Sequence, residues 1–506
     1  MIKMKIFNKH GEVPPPIVKA DFTGGLNTAN QVDAIAENQL ADVLNMEIDF
    51  ATKKLQTVSG TKDILSSENI FAAIYDSINN LILVVKNDKK IYLADFDGNI
   101  STSTIGTLSG HLYPKYCAWE NGVLIASGGR LQYFDGANLI LLDSPNAEEV
   151  FIRVGRVCIS NGTTIFFSGV GDENFWTQDN NVESSSKFVQ VGYKDGGNFI
   201  GLENLSQNIL VVKDNRRVYR LSGNFPQWQV DEIGKNFECR GRRSICKVGD
   251  DVFILGENEA YLIENNFYGN FQPQNLGEQV VSEIHKLPKN SPVKFISPLY
   301  QVWCLGKGGF VLVFDLRLKS WWKRKFNSEI LDVFTVGDEI FLVKENKICK
   351  LDKGTFEDDG QMMSWKFLCQ RLVGHHDLLL KRSRVSVTPL NPVAYSGNIF
   401  CGRVKIPLPI PDVKIPILGN TAPIYRNATK ISRTERLRGY VFPQPPNENI
   451  FRNEQFLEAN QHKIFSNNTF ERVSKNVYRN KFLDVQGHGQ GGRFILQSII
   501  LDVVEV

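Results

Sequence analysis

Short apolar runs alternate with polar turns along the middle of the chain, from about residue 71 to residue 371. Each run has roughly four to seven residues and is rich in Val, Ile, Phe and Tyr, which is typical of β-strands. The turns between runs contain pairs such as Asp135-Gly136 and Asn161-Gly162. Because these pairs readily adopt positive φ, they favour tight hairpins. The pattern therefore predicts a succession of antiparallel strands.

The hairpins recur with a rough period of about 35–50 residues, which is typical of repeated supersecondary units. A recurring unit of four antiparallel strands at this spacing is the signature of a β-propeller. In several units the third strand carries an aromatic residue, which we interpret as packing between blades. These residues are Tyr92, Tyr133, Tyr219 and Tyr261. We therefore expect an all-β protein with a β-propeller of about seven blades over residues 69–371.

The two ends of the chain depart from this repeat. Residues 1–68 contain a Pro-rich start, a hairpin and the segment Gln31–Leu44, whose apolar spacing makes it the best candidate helix. After the repeat, residues 384–480 are rich in Asn, Pro and Arg, and residues 480–506 predict two strands around the turn GHGQGG. We expect residues 1–68 and 372–506 to form an additional β-rich platform.

Composition and charge exclude several classes of protein. The 506 residues are 42% hydrophobic, which is enough for a packed core, and the net charge is only +3. A chain this balanced is not a strongly cationic nucleic-acid binder overall. We recognise neither a membrane-spanning run nor the apolar core of a secretory signal. The eight cysteines form no CxxC pair, which favours reduced, buried thiols made in a cytoplasm.

Positive charge is concentrated near the C-terminus. Residues 401–506 hold 15 basic and 9 acidic residues. Two interpretations stand: a solvated loop, or a surface that faces phosphate backbone or an acidic partner. The residues of this basic run are Arg426, Lys430, Arg433, Arg436 and Arg438.

An apolar loop rich in proline, residues 405–418, precedes the basic run. Its prolines exclude both a helix and a central strand. Such a loop is either buried between subunits or exposed as a tip that contacts an apolar partner. Its apolar residues, the candidates for a channel gate or tip, are Ile406, Leu408, Ile410, Ile415, Ile417 and Leu418.

Motifs for catalysis or cofactor binding are absent from the sequence: it has no GxxxxGK[ST], HExxH or GxSxG. GHGQGG lacks the helix that follows a phosphate-binding loop, and His375-His376 lacks a third metal ligand. Asp172, Glu173 and Trp176 lie close together and would suit a sugar-processing site, but the repeated Asp-box pattern is missing. We therefore expect no catalytic residue, no cofactor and no metal.

Several segments occur in an order that suggests a known family. DFTGGLN opens a stretch with the residues Gly24, Gly25, Leu26, Asn27, Asn45 and Gly60. Further segments are IFFSGVGDENFW, VQVGYKDGGNFIGL, ILVVKDNRRVYRLSGNFPQWQV, DVFILGENEAYLI and the closing RNKFLDVQGHGQGGRFILQSIILDVVEV. Their order resembles the propeller-bearing nozzle or hub proteins at the tail tip of short-tailed bacteriophages. The resemblance covers residues 21–60 and 150–265 best, and residues 480–506 more weakly.

The resemblance implies a structural virion protein and not an enzyme. Its family members form a ring, usually a hexamer, around the DNA exit channel of the tail and support genome ejection. The implied partners are further copies of the chain, tail adaptor or portal-proximal proteins, tail fibres, passing phage DNA and the host envelope at the tip. On this view loop 405–418 lies at the gate or the tip. The alternatives are a receptor- or glycan-binding propeller adhesin and a glycan-degrading enzyme.

Overall fold

The computed structural model describes residues 15–179, 182–225, 227–265, 271–390, 396–408, 435–437, 470–474 and 478–505. The chain separates into two compact units. The propeller unit comprises Lys62–Leu312 and Ser328–Leu351. The terminal unit comprises Met1–Thr61, Val313–Asn327 and Asp352–Val506.

Within the described residues, seven antiparallel sheets of four strands succeed one another between Gly60 and Asp352. Sheet 1 comprises Ile70–Asp76, Leu81–Lys86, Lys90–Ala94 and Gly106–Thr107, and sheet 2 comprises Lys115–Trp119, Gly122–Ala126, Arg130–Phe134 and Leu139–Asn146. Sheet 3 comprises Glu149–Arg153, Arg156–Asn161, Thr164–Phe167 and Lys187–Gln190, and sheet 4 comprises Phe199–Asn204, Asn208–Lys213, Arg217–Ser222 and Gln229–Lys235.

Sheets 5 to 7 continue the same arrangement. Sheet 5 comprises Ile245–Val248, Asp251–Leu255, Ala260–Asn265 and Phe271–Asn275, and sheet 6 comprises Val293–Ile296, Gln301–Leu305, Phe310–Asp315 and Ser320–Lys325. Sheet 7 comprises Ile330–Val336, Glu339–Lys344, Lys347–Asp352 and Gly60–Ser66. The short helices of this region are the 3₁₀ turns Glu278–Val280, Ser297–Leu299 and Lys307–Gly309 and the α-helix Val281–Ile284.

The first strands of neighbouring sheets contact one another, so they are the inner strands of a propeller. Sheet 7 takes its outer strand, Gly60–Ser66, from the chain that precedes sheet 1, and this pairing joins the two ends of the repeat. Apolar layers fill the space between neighbouring sheets, and Tyr133 and Tyr219 lie within two of them. Closure of this kind leaves few exposed strand edges. The expected all-β fold with a propeller is confirmed.

The terminal unit is also β-rich and combines segments from both ends of the chain. One sheet of eight strands contains Ile17–Lys19, Met46–Asp49, Lys54–Thr57, Leu372–Pro389, Glu435–Leu437, Phe470–Ser474, Tyr478–Leu483 and Phe494–Glu505. A second sheet of six strands contains Gly25–Leu26, Gln39–Leu44, Ser364–Cys369, Ser396–Cys401, Val404–Pro407 and Val485–Gln490. A hairpin of Glu357–Asp358 and Gln361–Met362 completes it. The terminal segments thus build an additional β-rich unit.

The candidate helix Gln31–Leu44 was a wrong prediction. Its second half, Gln39–Leu44, is a strand between Gly25–Leu26 and Ser364–Cys369, and its first half consists of turns. The Asn27 Oδ1 accepts hydrogen bonds from the backbone N–H of Ala29, and Gln39 Oε1 accepts one from Ala36. Such local bonds offer the backbone an alternative to helical hydrogen bonds. Pairing with the distant strand Ser364–Cys369 then stabilises the extended conformation.

The predicted turn GHGQGG is mostly a strand. Val485–Gln490 pairs with two strands, and only the last two glycines form the turn. A Cβ at Gly487 would lie 2.4 Å from Phe367 Cε1, and one at Gly489 would lie 2.6 Å from Trp365 Cζ2. Glycine is therefore required here for close packing of aromatic rings against the backbone.

Candidate functional site

The predicted loop and basic run fall largely outside the described residues. Ile406 and Leu408 are described, and both are buried. Arg436 lies in the short strand Glu435–Leu437, which pairs with Phe470–Ser474. A gate, tip or partner-facing role for the two segments stays a prediction. The residues outside the described part of the chain are Ile410, Ile415, Ile417, Leu418, Arg426, Lys430, Arg433 and Arg438.

The acidic cluster considered for sugar chemistry is engaged in holding its own loop. Trp119 Nε1 donates a hydrogen bond to Glu173 Oε2 at 3.2 Å, and Trp176 Nε1 donates to the Glu173 carbonyl at 2.7 Å. The Asp172 carboxylate accepts from the backbone N–H of Asn174. These contacts assign the cluster a structural use.

Ionisable side chains converge on the axis of the propeller unit, where the inner strands of the sheets meet. They come from or immediately precede the first strands of sheets 2 to 7. Inner strands are mostly apolar, so a set of ionisable side chains in contact with one another there is exceptional. We call this set the axial cluster; its members are Tyr113, Lys115, Glu149, Glu203, Arg242, Arg243, Lys294 and Asp332.

Asp332 is the centre of one half of the axial cluster. The Tyr113 hydroxyl donates to its Oδ2 at 2.8 Å, and Lys294 Nζ lies 3.0 Å from its Oδ1. Arg243 Nη2 lies 3.7 Å from the same Oδ1 and donates to the Leu331 carbonyl at 2.6 Å. The Arg243 guanidinium also covers the Tyr113 ring at 3.5 Å from its centroid. Sheets 6 and 7 are thus tied to the chain that enters sheets 2 and 5.

Electrostatics fix the protonation states in this half. Burial acts to raise the pKa of Asp332, but the nearby Lys294 and Arg243 charges and the Tyr113 hydrogen bond lower it below its usual value. Burial, together with the Asp332 charge, raises the pKa of Tyr113 well above its usual value. At neutral pH the Tyr113 phenol therefore donates a hydrogen bond to an ionised carboxylate.

Glu149 is the centre of the other half. Arg242 Nε donates to Glu149 Oε1 at 2.8 Å, and Lys115 Nζ lies 3.5 Å from Oε2. Arg242 Nη1 donates to the Tyr113 carbonyl at 2.8 Å, which joins the two halves. Arg242 therefore connects the start of sheet 5 with the start of sheet 3 and the entry to sheet 2. A guanidinium suits this role because its donors form a rigid planar fork.

Glu203 is the exceptional carboxyl of the axial cluster. Burial raises its pKa to about 7, an effect that the charge of Lys115 opposes and that of Glu149 reinforces. Lys247 and Lys294 also lower it. Glu203 therefore titrates near neutral pH, whereas Asp332 is fully ionised there.

The arrangement suits a brace more than a reaction centre or a metal site. The carboxylates of Asp332 and Glu149 already accept from Tyr, Lys or Arg groups. A hard cation such as Mg²⁺ or Ca²⁺ would need those oxygens released from their partners. What the cluster does physically is to cross-link sheets that are not neighbours in the ring.

The axial cluster is not among the residues that the sequence singles out. A signal was present, because Lys294 and Asp332 each interrupt an apolar run. Reading that signal requires knowledge that these runs are the inner strands. Only in the folded chain do these charges from distant residues meet.

Known proteins similar to this chain are distant. No protein-family model matches the chain, and no curated protein matches it. Among solved structures, BamB from Moraxella catarrhalis is similar at 8% identity and a TM-score of 0.37, over 62% of this chain and 96% of that one. YCF48 from Cyanidioschyzon merolae matches at 9% identity and a TM-score of 0.39, over 58% and 98%. The WD40 β-propeller domain of Doa1 matches at 12% and 0.41, over 59% and 97%.

These neighbours are β-propeller proteins, and at such low identity and TM-score the likeness carries no argument about this chain. Within the residues that the structure describes, no helix is long and apolar enough to cross a membrane.

Proposed function

We propose that this protein is a structural component of a bacteriophage tail, a nozzle or hub subunit that forms a ring around the DNA exit channel and supports genome ejection. The observation that carries the proposal is the axial cluster. Arg242 links sheets across the propeller axis through Glu149 and the Tyr113 carbonyl, and Asp332 does the same through Tyr113. Because the cross-links oppose shear between sheets, they suit a subunit that bears load during ejection.

The braced axis also bears on where DNA would pass. Side chains from opposite sheets meet on the propeller axis, so on this proposal the channel is built between copies of the chain. Near-neutral net charge suits such a channel, because each firm Lys or Arg contact with phosphate would retard sliding DNA. The virion is then the site of action, and the protein is made in the host cytoplasm.

The terminal unit supplies a second line of support. Leu372–Pro389 and Phe494–Glu505 form an extended antiparallel ribbon, paired from Leu378↔Glu505 to Pro389↔Phe494. The longer strand has 18 residues, which corresponds to about 60 Å at 3.3 Å per residue. A ribbon of this length suits contacts with neighbouring copies, a tail adaptor or portal-proximal protein, and tail fibres. The apolar loop and basic run follow it and would meet DNA or the host envelope.

Oligomeric state tests the proposal. Native mass spectrometry of the full-length chain across a range of concentrations, with negative-stain images, should reveal a ring, six-fold on the family resemblance, with a central hole. A monomer at every concentration would contradict the self-assembling ring. As a control for folding, the monomer fraction should retain the β-rich circular dichroism spectrum of the ring.

The loop role is tested separately. Replacing residues 409–418 by a Gly-Ser linker of equal length leaves the buried Ile406 and Leu408 in place. We expect particles with this change to lose retention of DNA or infectivity. Unchanged retention and infectivity would contradict a gate or tip role.

The second candidate function is a receptor- or glycan-binding propeller. One observation favours it: a polar cleft lies between turns of sheets 3 and 4, and its charged lining residues are cationic. The two candidates differ in prediction, since an adhesin needs no ring with a central hole.

A further inference from the structure

A cleft opens among turns at one end of sheets 3 to 5 in the propeller unit. It has a volume of about 470 Å³ and is bounded by the turn after Arg153, the turn Leu205–Gln207, the loop Gly223–Asn224 and the side chain of Lys247. We call it the cationic cleft. It is separate from the hydrogen-bonded acidic loop of sheet 3, and its Lys247 also acts electrostatically on Glu203 of the axial cluster.

Arg153 is fixed in the wall of the cationic cleft. Its Nη1 donates to Asn204 Oδ1 at 3.2 Å and to the Leu205 carbonyl at 3.1 Å, and its Nη2 donates to the Gln207 carbonyl at 2.7 Å. These acceptors are neutral, so they orient the guanidinium without cancelling its charge. Such a group keeps donors available in a fixed geometry, which suits recognition of a planar or tetrahedral anion.

Lys247 provides the second positive charge. Its Nζ donates to the Asn204 carbonyl at 2.8 Å, so it is directed to the same turn as Arg153. Within the described part of the chain, neither cation forms an ion pair within 4.0 Å of a carboxylate. Of the acids beside the cleft, Asp250 accepts from Ser206, and Glu203 belongs to the axial cluster, although the charge of Lys247 also lowers its pKa.

Val154 forms the rim of the cationic cleft and is unusual in two ways. It has a φ of 49°, and its side chain is 65% exposed. A β-branched residue in the left-handed region is strained, and an exposed apolar side chain there gains nothing from burial in the core. Strain of this kind is concentrated at binding sites, where an apolar contact at the rim would complement the charges inside.

We propose that the cationic cleft binds an anionic group, a carboxylate or phosphate on a small ligand such as a charged sugar, with Arg153 and Lys247 as its donors and Val154 as an apolar contact. The two fixed cations and the shape of the cleft supply the recognition. The site goes beyond the tail role and does not depend on it, because binding is measured on the purified chain in any oligomeric state.

Isothermal titration of the full-length protein with inorganic phosphate, with glucuronate and with uncharged glucose tests the site. We expect phosphate or glucuronate to bind and glucose not to bind. Lys247→Ala should weaken anion binding by about tenfold or more, the size of one charge-assisted hydrogen bond. Lys247→Arg should restore binding. Lys286→Ala removes an exposed lysine that pairs with Glu283, and it should leave binding unchanged.

The outcomes distinguish a phosphate ligand from a carboxylate ligand, and they also decide whether the site binds anions at all. Binding of phosphate alone would assign a phosphate ligand, and binding of glucuronate alone would assign a carboxylate sugar; both support the site. Wild-type protein that binds neither anion would overturn it, as would equal affinity of the Lys247→Ala and wild-type proteins. Lys247 is exposed, so the Ala variant should keep the wild-type melting temperature and report on binding.

Discussion

The propeller unit and the terminal unit use the same kind of element but assemble it differently. Sheet 3 is built from one continuous stretch, and its strand pairs join residues close in sequence, such as Ile159↔Phe166. The sheets of the terminal unit join residues hundreds of positions apart, such as Leu40↔Cys369 and Leu55↔Leu496. Local pairing costs less loop entropy than distant pairing. One chain therefore contains a unit whose strands pair mostly with neighbours in sequence and a unit whose strands pair between the two ends of the chain.

The two units also differ at their centres. Opposite charges meet on the axis of the propeller unit, where Asp332 contacts Lys294 and the Tyr113 hydroxyl. In the terminal unit Trp365 stacks on Phe367 and meets Phe494 edge to face, with ring centroids 6.4 and 5.0 Å apart. The first centre should respond to pH and the second to the loss of apolar volume. Calorimetry that separates the two unfolding transitions can test this difference.

The largest effect is expected in the terminal unit. Trp365→Ala removes a buried ring and should lower the free energy of unfolding by about 3–5 kcal/mol through lost apolar contacts and a cavity. Trp365→Phe is the matched control: among the residues that the structure describes, Trp365 Nε1 has no hydrogen-bond partner, so Phe loses volume only and should cost less than half as much. The terminal transition should move and the propeller transition should not. An equal shift in the midpoint of both transitions would contradict the view that the two units are stabilised by separate cores.

Asp332→Asn tests the axis of the propeller unit. It leaves Lys294 and Arg243 without their shared anion and should cost about 3 kcal/mol at pH 7. The pKa of Asp332 is lower in the folded state than in the unfolded chain. Its stabilisation is therefore present above the unfolded pKa of about 3.8 and is lost as pH falls through the folded value.

The pH dependence supplies the readout for this variant. The difference in the free energy of unfolding between wild type and Asp332→Asn, measured by chemical denaturation, should be largest at pH 7. It should decrease on acidification below about pH 4. A gap that stays constant with pH would show that Asp332 acts only through packing.

Glu203→Gln should have a smaller effect of opposite sign. The folded pKa of Glu203 is raised to about 7 from 4.5, so the folded state favours the protonated form. The stabilisation that follows from this preference is complete below the unfolded pKa and is lost as pH rises through 7. At pH 8 the Gln variant should therefore be more stable than wild type by about 1–2 kcal/mol, discounted for partial exposure, and the difference should vanish near pH 4.5. A variant less stable than wild type at pH 8 would contradict this account of the axis.

The smallest expected effect is at the rim of the cationic cleft. Val154→Asn places a residue that tolerates positive φ at a strained position and should stabilise the propeller unit by about 0.5–1 kcal/mol. Val170→Asn is the matched control, because Val170 is exposed by a similar fraction and is not among the residues with positive φ. The free energy of unfolding of the Val170→Asn variant should stay within about 0.5 kcal/mol of the wild-type value. Equal changes in both variants would mean that Val154 carries no strain.

The propeller could be predicted from sequence because its information is local. The pairs Asp135-Gly136 and Asn161-Gly162 do form turns in which the glycine has positive φ, 100° and 60°. Each turn joins two apolar runs that pair with each other. Period, turn chemistry and strand pairing therefore agree within each stretch of about 45 residues.

Features that depend on distant residues could be predicted only in part. Asn45, one of the positions in the family resemblance, has a φ of 53° and uses its side chain to bond Ser364 and Lys325. The sequence indicated that Asn45 mattered but not what it contacts. Gln31–Leu44 has helical spacing but becomes partly a strand, because its strand partners lie outside any local window. The axial cluster and the cationic cleft could not be predicted from the sequence for the same reason.

The central claim is that this braced propeller protein assembles into the ring of a phage tail. The most direct measurement is the mass of the purified full-length protein by native mass spectrometry, joined to negative-stain class averages of the same sample. The account predicts a closed ring, six-fold on the family resemblance, with a central hole wide enough for DNA. A monomer at every concentration, or a closed particle without a hole, would contradict it and would leave anion binding by the propeller as the function to pursue.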